Sequence, residues 1–247
     1  MNGSSNSKTG AVVHRIYQGK TLLFWLLFAL MLGLAVHFGR QKTTSPIVLD
    51  SANISATQVS ALTAVTEQLG EQSFYGADLQ QIADKVAAVS WVQSVQVSRD
   101  WQRGIVVQVI PRVAVANFGS EHLLDISGEV FVPATPSELN SDKRIDVYGA
   151  PEDAKRIMAQ VYQLNAWFAP VNLSVQDVIL TPRETWLVRF NNGLRLTVDY
   201  ERVDDKLYAF SQLLKNDSLP LTLSQIASAD LRYKNGFSLT KKRQEQL

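Results

Sequence analysis

From Thr21 to Phe38 the chain runs TLLFWLLFALMLGLAVHF, eighteen residues with no Asp, Glu, Lys or Arg among them. At about 1.5 Å of rise per helical residue such a run extends roughly 27 Å, close to the hydrocarbon thickness of a bilayer. In lipid each unpaired backbone amide costs several kcal/mol, so a lone span has to be helical. A cleaved secretory signal has a shorter apolar core that ends in a small-x-small site. Gly33-Leu34-Ala35 has that form but lies inside the run. A buried core helix would show a polar face, and this run has none. The expectation is one uncleaved N-terminal transmembrane helix at 21–38, with more than two hundred residues following it in water.

Lys8, Arg15 and Lys20 precede the run, Arg40 and Lys42 follow it, and no acidic residue occurs before Asp50. This small excess on the N-terminal side, together with the short tail, favours residues 1–20 in the cytoplasm and the main domain exported. Of 24 Lys and Arg, 20 lie beyond Arg40, together with all 23 Asp and Glu. That balance gives no basic field for nucleic acid. Cysteine is absent, which removes disulfides, thiol catalysis and thiolate metal sites. An exported domain of this size without disulfides points to a bacterial periplasm.

The exported part reads as two modules. Residues 39–45 form a polar linker, and Ile47-Val48-Leu49 is a short strand. Helices are expected over 57–69 and 78–89, the second capped by Asp78 and burying Leu79, Ile82, Ala83, Val86 and Val89. The period then changes to two: Val95 and Val97, then Ile105, Val107 and Val109, are strands joined by the turn at Gln102-Arg103-Gly104. Trp91 and Trp101, which flank the first of these strands, read as core or groove-lining residues. Residues 46–115 thus make a β-α-α-β-β unit, a small sheet covered by two helices.

Residues 116–240 read as a mainly antiparallel β module with two helices, so the fold class is α+β. Strands are expected at 113–118, 122–125, 129–132, 145–148, 178–180, 185–190 and 194–198. The last of them follows a hairpin turn at Asn191-Asn192-Gly193. Helices are expected at 152–168, before the 178–180 strand, and at 202–215, and a final pair of strands at 230–233 and 237–240 flanks the turn Lys234-Asn235-Gly236. Residues 241–247 form a charged tail.

No catalytic, cofactor or metal site is expected. Of three histidines only His122 belongs to the exported part, and no G-x-S-x-G elbow or phosphate-cradling glycine loop accompanies it. One histidine without cysteine does not hold zinc. Glu201, Asp204 and Asp205 stand at a helix start, where acids favour the helix dipole. Ser238-Leu239-Thr240-Lys241 has the S-x-x-K form of penicillin-binding enzymes but lacks their companion motifs in the same compartment. The chain reads as a binder, with no small-molecule substrate.

Four segments in order carry a resemblance. Ser90-Trp91-Val92-Gln93-Ser94-Val95-Gln96-Val97-Ser98-Arg99-Asp100-Trp101 resembles the P-W-V-x-x-V-x-V-x-x-x-W-P segment of the FtsQ/DivIB family of bacterial cell-division proteins, with Ser90 and Gln102 where that pattern has proline. Val109 to Phe118 is similar to the V-E-x-x-P-x-A-x-W stretch, and Leu124 to Phe131 to the next hairpin. Ala229-Asp230-Leu231-Arg232-Tyr233-Lys234-Asn235-Gly236-Phe237 is similar to the closing V-D-L-R-Y-x-N-G-F element. Lys241 stands where some members carry tryptophan.

The resemblance implies a POTRA domain at 46–115 and a non-enzymatic scaffold of the divisome, held in the inner membrane at the septum. Its implied partners are FtsB and FtsL, through their periplasmic parts, and other divisome proteins. Attachment would be by strand addition to the last sheet edge, with Arg183, Arg232, Tyr233, Asn235, Gly236, Phe237 and Ser238 as the partner-binding residues. The competing expectation for a POTRA-bearing chain is outer-membrane assembly or secretion.

Overall fold

The computed structural model describes residues 24–34, 44–70 and 72–243. Residues 24–34 are helical (α1), with the large apolar side chains exposed. Among the described residues no helix is long and apolar enough to cross a membrane. The remainder of the apolar run, the tail at 1–20, linker residues 39–43 and residues 244–247 lie outside the described residues.

The first module is built on a three-stranded sheet. β2 (Ile47–Asp50) runs parallel to the central β5 (Gly104–Pro111), which pairs antiparallel with β4 (Val92–Asp100). Helices α2 (Ala56–Glu67) and α3 (Leu79–Ala87) pack on this sheet, in the expected β-α-α-β-β order. Asp78 caps α3 as expected, accepting from Gln80 N at 3.0 Å and Gln81 N at 3.1 Å. Ser55 caps α2 through a capping box with Gln58, which satisfies orphan amides of the first turn from both sides. Leu62, Ile82, Val86, Trp91, Ile105, Val107 and Val109 form the core between helices and sheet.

A two-stranded ribbon adds to this frame. Thr44 and Ser45, read as the end of a linker, form β1 and pair with Ser73 and Gln72 of β3 (Gln72–Ser73). Of the two alternatives, core and groove lining, Trp91 takes the first and Trp101 the second. Trp91 is buried as expected, whereas Trp101 is 79% exposed because Asp100 closes a tight turn that carries the next residue out of the sheet.

The second module is a nine-stranded sheet. In chain order its strands are β6 (Ala114–Phe118), β7 (His122–Asp125), β8 (Val130–Phe131), β9 (Ile145–Tyr148), β10 (Val175–Leu180), β11 (Trp186–Phe190), β12 (Arg195–Val198), β13 (Ile226–Asp230) and β14 (Ser238–Lys241). In space they run β14-β13-β12-β11-β10-β9-β6-β7-β8. Most ladders are antiparallel, but β9–β10, β12–β13 and β6–β9 are parallel. Helices α4 (Ala154–Phe168) and α5 (Val203–Lys215) supply the long connections that the parallel pairs β9–β10 and β12–β13 need.

Ile157, Val161, Leu164 and Phe168 of α4, with Leu207 and Phe210 of α5, meet Trp186, Val188, Phe190, Leu196 and Val198 in one core. Phe168 and Phe190 pack with ring centroids 4.7 Å apart. The modules also share apolar surface: Leu123 of β7 and Phe131 of β8 belong to the first module's core.

The closing strands are shifted from the expectation. The strand read at 230–233 is β13, which ends at Asp230, so Arg232 and Tyr233 stand in the following loop. Lys241, read as the start of a tail, is the last residue of β14.

Candidate partner interface

The C-terminal edge of the large sheet follows from the order of its strands. β14 has β13 on one side and is outermost on the other. A strand so placed presents backbone N–H and C=O groups that no neighbouring strand among the described residues takes up, a template for a further strand. The opposite edge is β8, only two residues long. Ser238 opens β14, paired with Asp230 across the ladder, and is exposed.

The loop from 231 to 237 positions the candidate side chains. Leu231 is buried and its N donates to Thr197 O at 2.7 Å, which fixes the loop's start against β12. At its other end Phe237 packs edge-on against buried Phe210 of α5, with centroids 5.6 Å apart. Between these two fixed points Tyr233, Asn235 and Gly236 are exposed. Gly236 is open: a Cβ built there meets nothing within 4 Å.

Arg232 is already engaged within the chain. Its Nε donates to Asp230 Oδ1 at 2.9 Å and its Nη2 to Asp230 Oδ2 at 2.6 Å, a two-pronged guanidinium–carboxylate pair. Hydrogen bonding from Arg232, set against some burial, holds the Asp230 carboxyl below the usual carboxylate range, and the same pairing raises Arg232. The pair therefore holds the guanidinium at the end of β13.

Arg183 stands in the turn between β10 and β11, and the fold brings it and Arg232 to the walls of one open cleft of about 580 Å³. The floor is Thr185, Leu187 and Thr197, on the sheet face opposite α4 and α5. Of the seven expected partner residues, Arg183 and Arg232 share this cleft, while Tyr233, Asn235, Gly236, Phe237 and Ser238 follow along the loop into β14. Asp230, Leu187 and Thr197 were missed. The strand alternation points to the last two, since Trp186, Val188, Leu196 and Val198 are buried and the residues between them must face the other way.

Among the described residues no group of three or more His, Asp or Glu could hold a metal ion. His122 begins β7, remote in sequence from this edge.

A family model described as "POTRA domain, FtsQ-type" matches residues 47–110, and one described as "Cell division protein FtsQ/DivIB, C-terminal" matches residues 113–232. The second match stops one residue before Tyr233. A cell division protein FtsQ of Acinetobacter oleivorans is 38% identical over 167 residues, 68% of this chain, and the match spans 58% of that relative's length. One of Burkholderia pseudomallei is 30% identical over 194 residues, covering 77% of this chain and 75% of the relative. One of Xanthomonas campestris is 26% identical over 227 residues, covering 90% and 80%.

Proposed function

Since the chain belongs to the FtsQ/DivIB family of bacterial cell-division proteins, we propose that it is a non-enzymatic scaffold that holds an FtsB–FtsL pair through the outer edge of β14. A partner segment in extended conformation adds beside Ser238–Lys241 and takes up its outward backbone groups. The observation that carries this reading is the coincidence of a sheet edge unpaired among the described residues with an exposed loop that holds Tyr233 and, through Asp230, Arg232.

The side chains divide the work. Main-chain bonds along β14 supply attachment and little selectivity. Arg183 and Arg232, on the walls of the cleft, favour a partner with a carboxylate at that level. Tyr233 offers a rigid ring with one polar tip, a side chain enriched among interface anchors. Gly236 leaves room for a partner backbone to approach.

The apolar run from Thr21 to Phe38 is proposed as the inner-membrane anchor, with the N-terminus cytoplasmic and modules 46–115 and 116–240 in the periplasm at the septum. Other divisome proteins bind elsewhere on the surface. The relatives are division proteins, which favours this reading over outer-membrane assembly.

Capture of a soluble FtsB–FtsL complex by the full chain in detergent tests the reading. Leu239→Pro removes a backbone donor from β14, and Tyr233→Ala and Arg232→Glu alter the loop. Capture by the parent and loss in folded variants is expected. Undiminished capture by a folded Leu239→Pro variant would rule out strand addition at this edge.

A further inference from the structure

Two exposed aromatic rings stand beside residues 45 and 46. Tyr75 is 72% exposed and Trp101 79% exposed, their ring centroids 6.0 Å apart. Both lean on buried Phe74, at 5.2 and 5.0 Å. The cluster is held rigidly. Arg99 Nε donates to Phe74 O at 2.7 Å and its Nη2 to Ala77 O at 2.8 Å, which pins one loop. Asp100 Oδ1 accepts from Gln102 N at 2.9 Å and Arg103 N at 3.0 Å, which closes the other.

Both loops are tied to residues 44–46. Thr44 and Ser45 pair with Ser73 and Gln72, immediately before Phe74 and Tyr75. Ile105 N donates to Pro46 O at 3.1 Å, directly after the Trp101 turn. A cleft of about 260 Å³ opens between Pro46, Tyr75, Trp101 and Arg103.

The tether limits how far this cluster can stand from the end of the run. Phe38 and Thr44 are six residues apart in sequence, at most about 22 Å even when fully extended. The only Asp, Glu, Lys or Arg residues between Phe38 and Asp50 are Arg40 and Lys42, and Arg103 flanks Trp101. Basic residues at that level suit anionic headgroups. Tyrosine and tryptophan, each an apolar ring with one polar tip, are the side chains enriched at the boundary of headgroups and acyl chains.

We propose that Tyr75 and Trp101 insert into the headgroup layer of the leaflet from which residues 44–46 emerge, so that the first module rests on the membrane in one orientation. This rests on the reading of Thr21 to Phe38 as a membrane span. The ribbon β1–β3 and the Pro46–Ile105 bond then act as a collar that fixes the module's tilt.

The test uses the full chain bearing Trp25→Phe, so that the anchor holds no tryptophan. It is reconstituted in vesicles of equal parts phosphatidylcholine and phosphatidylglycerol, with and without bromine near the glycerol end of the acyl chains. Flotation reports membrane insertion. The Trp101 emission is read as the difference between this protein and its Trp101→Phe variant, an exposed site whose change leaves both cores intact.

Flotation with bromine quenching of the Trp101 emission is the expected result. Flotation without quenching leaves the rings facing water, as a protein-docking surface would, and overturns the inference while sparing the anchor. Failure to float overturns the membrane span itself, and the inference with it.

Discussion

Arg112 Nη1 donates to Asp125 Oδ2 at 2.6 Å, and this pair joins the end of the first module's central strand to the second strand of the next. Arg112 also donates from Nε to Ser90 O at 3.2 Å and from its backbone N to Trp91 O at 2.8 Å. Asp125 further accepts from Ser127 N, Ser127 Oγ and Glu129 N at 2.9, 2.6 and 3.0 Å. One buried carboxylate thus organises the β7–β8 turn and the module joint together.

Removing that carboxylate leaves Arg112 half-buried without its counter-charge. Asp125→Ala is expected to cost about 3 kcal/mol, as breaking an enclosed ion pair from one side does. Urea unfolding near neutral pH checks this. A loss within the range of ordinary surface changes would show that the joint does not depend on the pair.

The same group sets an acid dependence. Burial alone would raise the Asp125 pKa, but hydrogen bonds from Ser127, Glu129 and Arg112 outweigh it and hold the carboxyl below its usual value of 3.8. Because the folded pKa is the lower one, the stabilisation is complete above the unfolded value and is lost as pH falls through the folded value. Stability of the parent should therefore decline in acid below the ordinary carboxylate range, and the decline should be shallower in Asp125→Asn. Equal acid profiles in calorimetry would remove Asp125 as a cause.

The helices were legible because local spacing and caps agree: Asp78 starts α3, and Ile82 and Val86 recur on its buried face. The joint at Arg112 and Asp125 was not legible, since the partners meet across two modules and neither carries a local signal. Ser90, where the family pattern has proline, uses its hydroxyl to accept from Val132 N at 2.9 Å, another bond between the modules. Trp101 fits a buried strand end by its place beside alternating valines, yet of the two readings, core and groove lining, it takes the second. Only the Asp100 turn shows that it leaves the sheet. β13 was placed too late because its own residues, Ile-Ala-Ser-Ala-Asp, have little strand character, whereas Leu231 and Tyr233 do. At the interface the residues of the closing element were legible as a set, but the cleft between Arg183 and Arg232 needs the fold.

Gly104 is required by geometry rather than by exposure. Its φ is +96°, and a Cβ there would meet Pro46 O at 2.7 Å. Gly104→Ala is expected to cost about 1–3 kcal/mol through strain at an unfavourable backbone angle. Gly236→Ala, in open space, should stay within about 0.5 kcal/mol of the parent. Thermal unfolding of the two side by side checks the contrast.

Phe168, fully buried against Phe190 at the end of α4, closes the core under the centre of the large sheet. Phe168→Ala should cost about 3–5 kcal/mol, the usual result of emptying an aromatic site. Because Arg183 follows β10, the strand α4 leads into, the loss should appear in unfolding before any change in partner capture by the folded fraction. Weakened capture by a fully folded variant would mean that the interface depends on α4 packing.

Asp230 gives the interface a sharper test, because its role there is to aim Arg232. The pair is exposed, so solvent screens it and its removal changes stability little. Asp230→Asn should therefore fold normally, yet leave the guanidinium free to rotate away from the end of β13. Capture of the FtsB–FtsL pair should fall by about tenfold, equivalent to about 1.4 kcal/mol. Arg232→Lys keeps the charge and loses the fork, so it should weaken capture to a similar degree. Titration of binding against each variant separates aim from charge. If Asp230→Asn binds as the parent does while Arg232→Glu does not, the charge at 232 suffices and its alignment by Asp230 is dispensable.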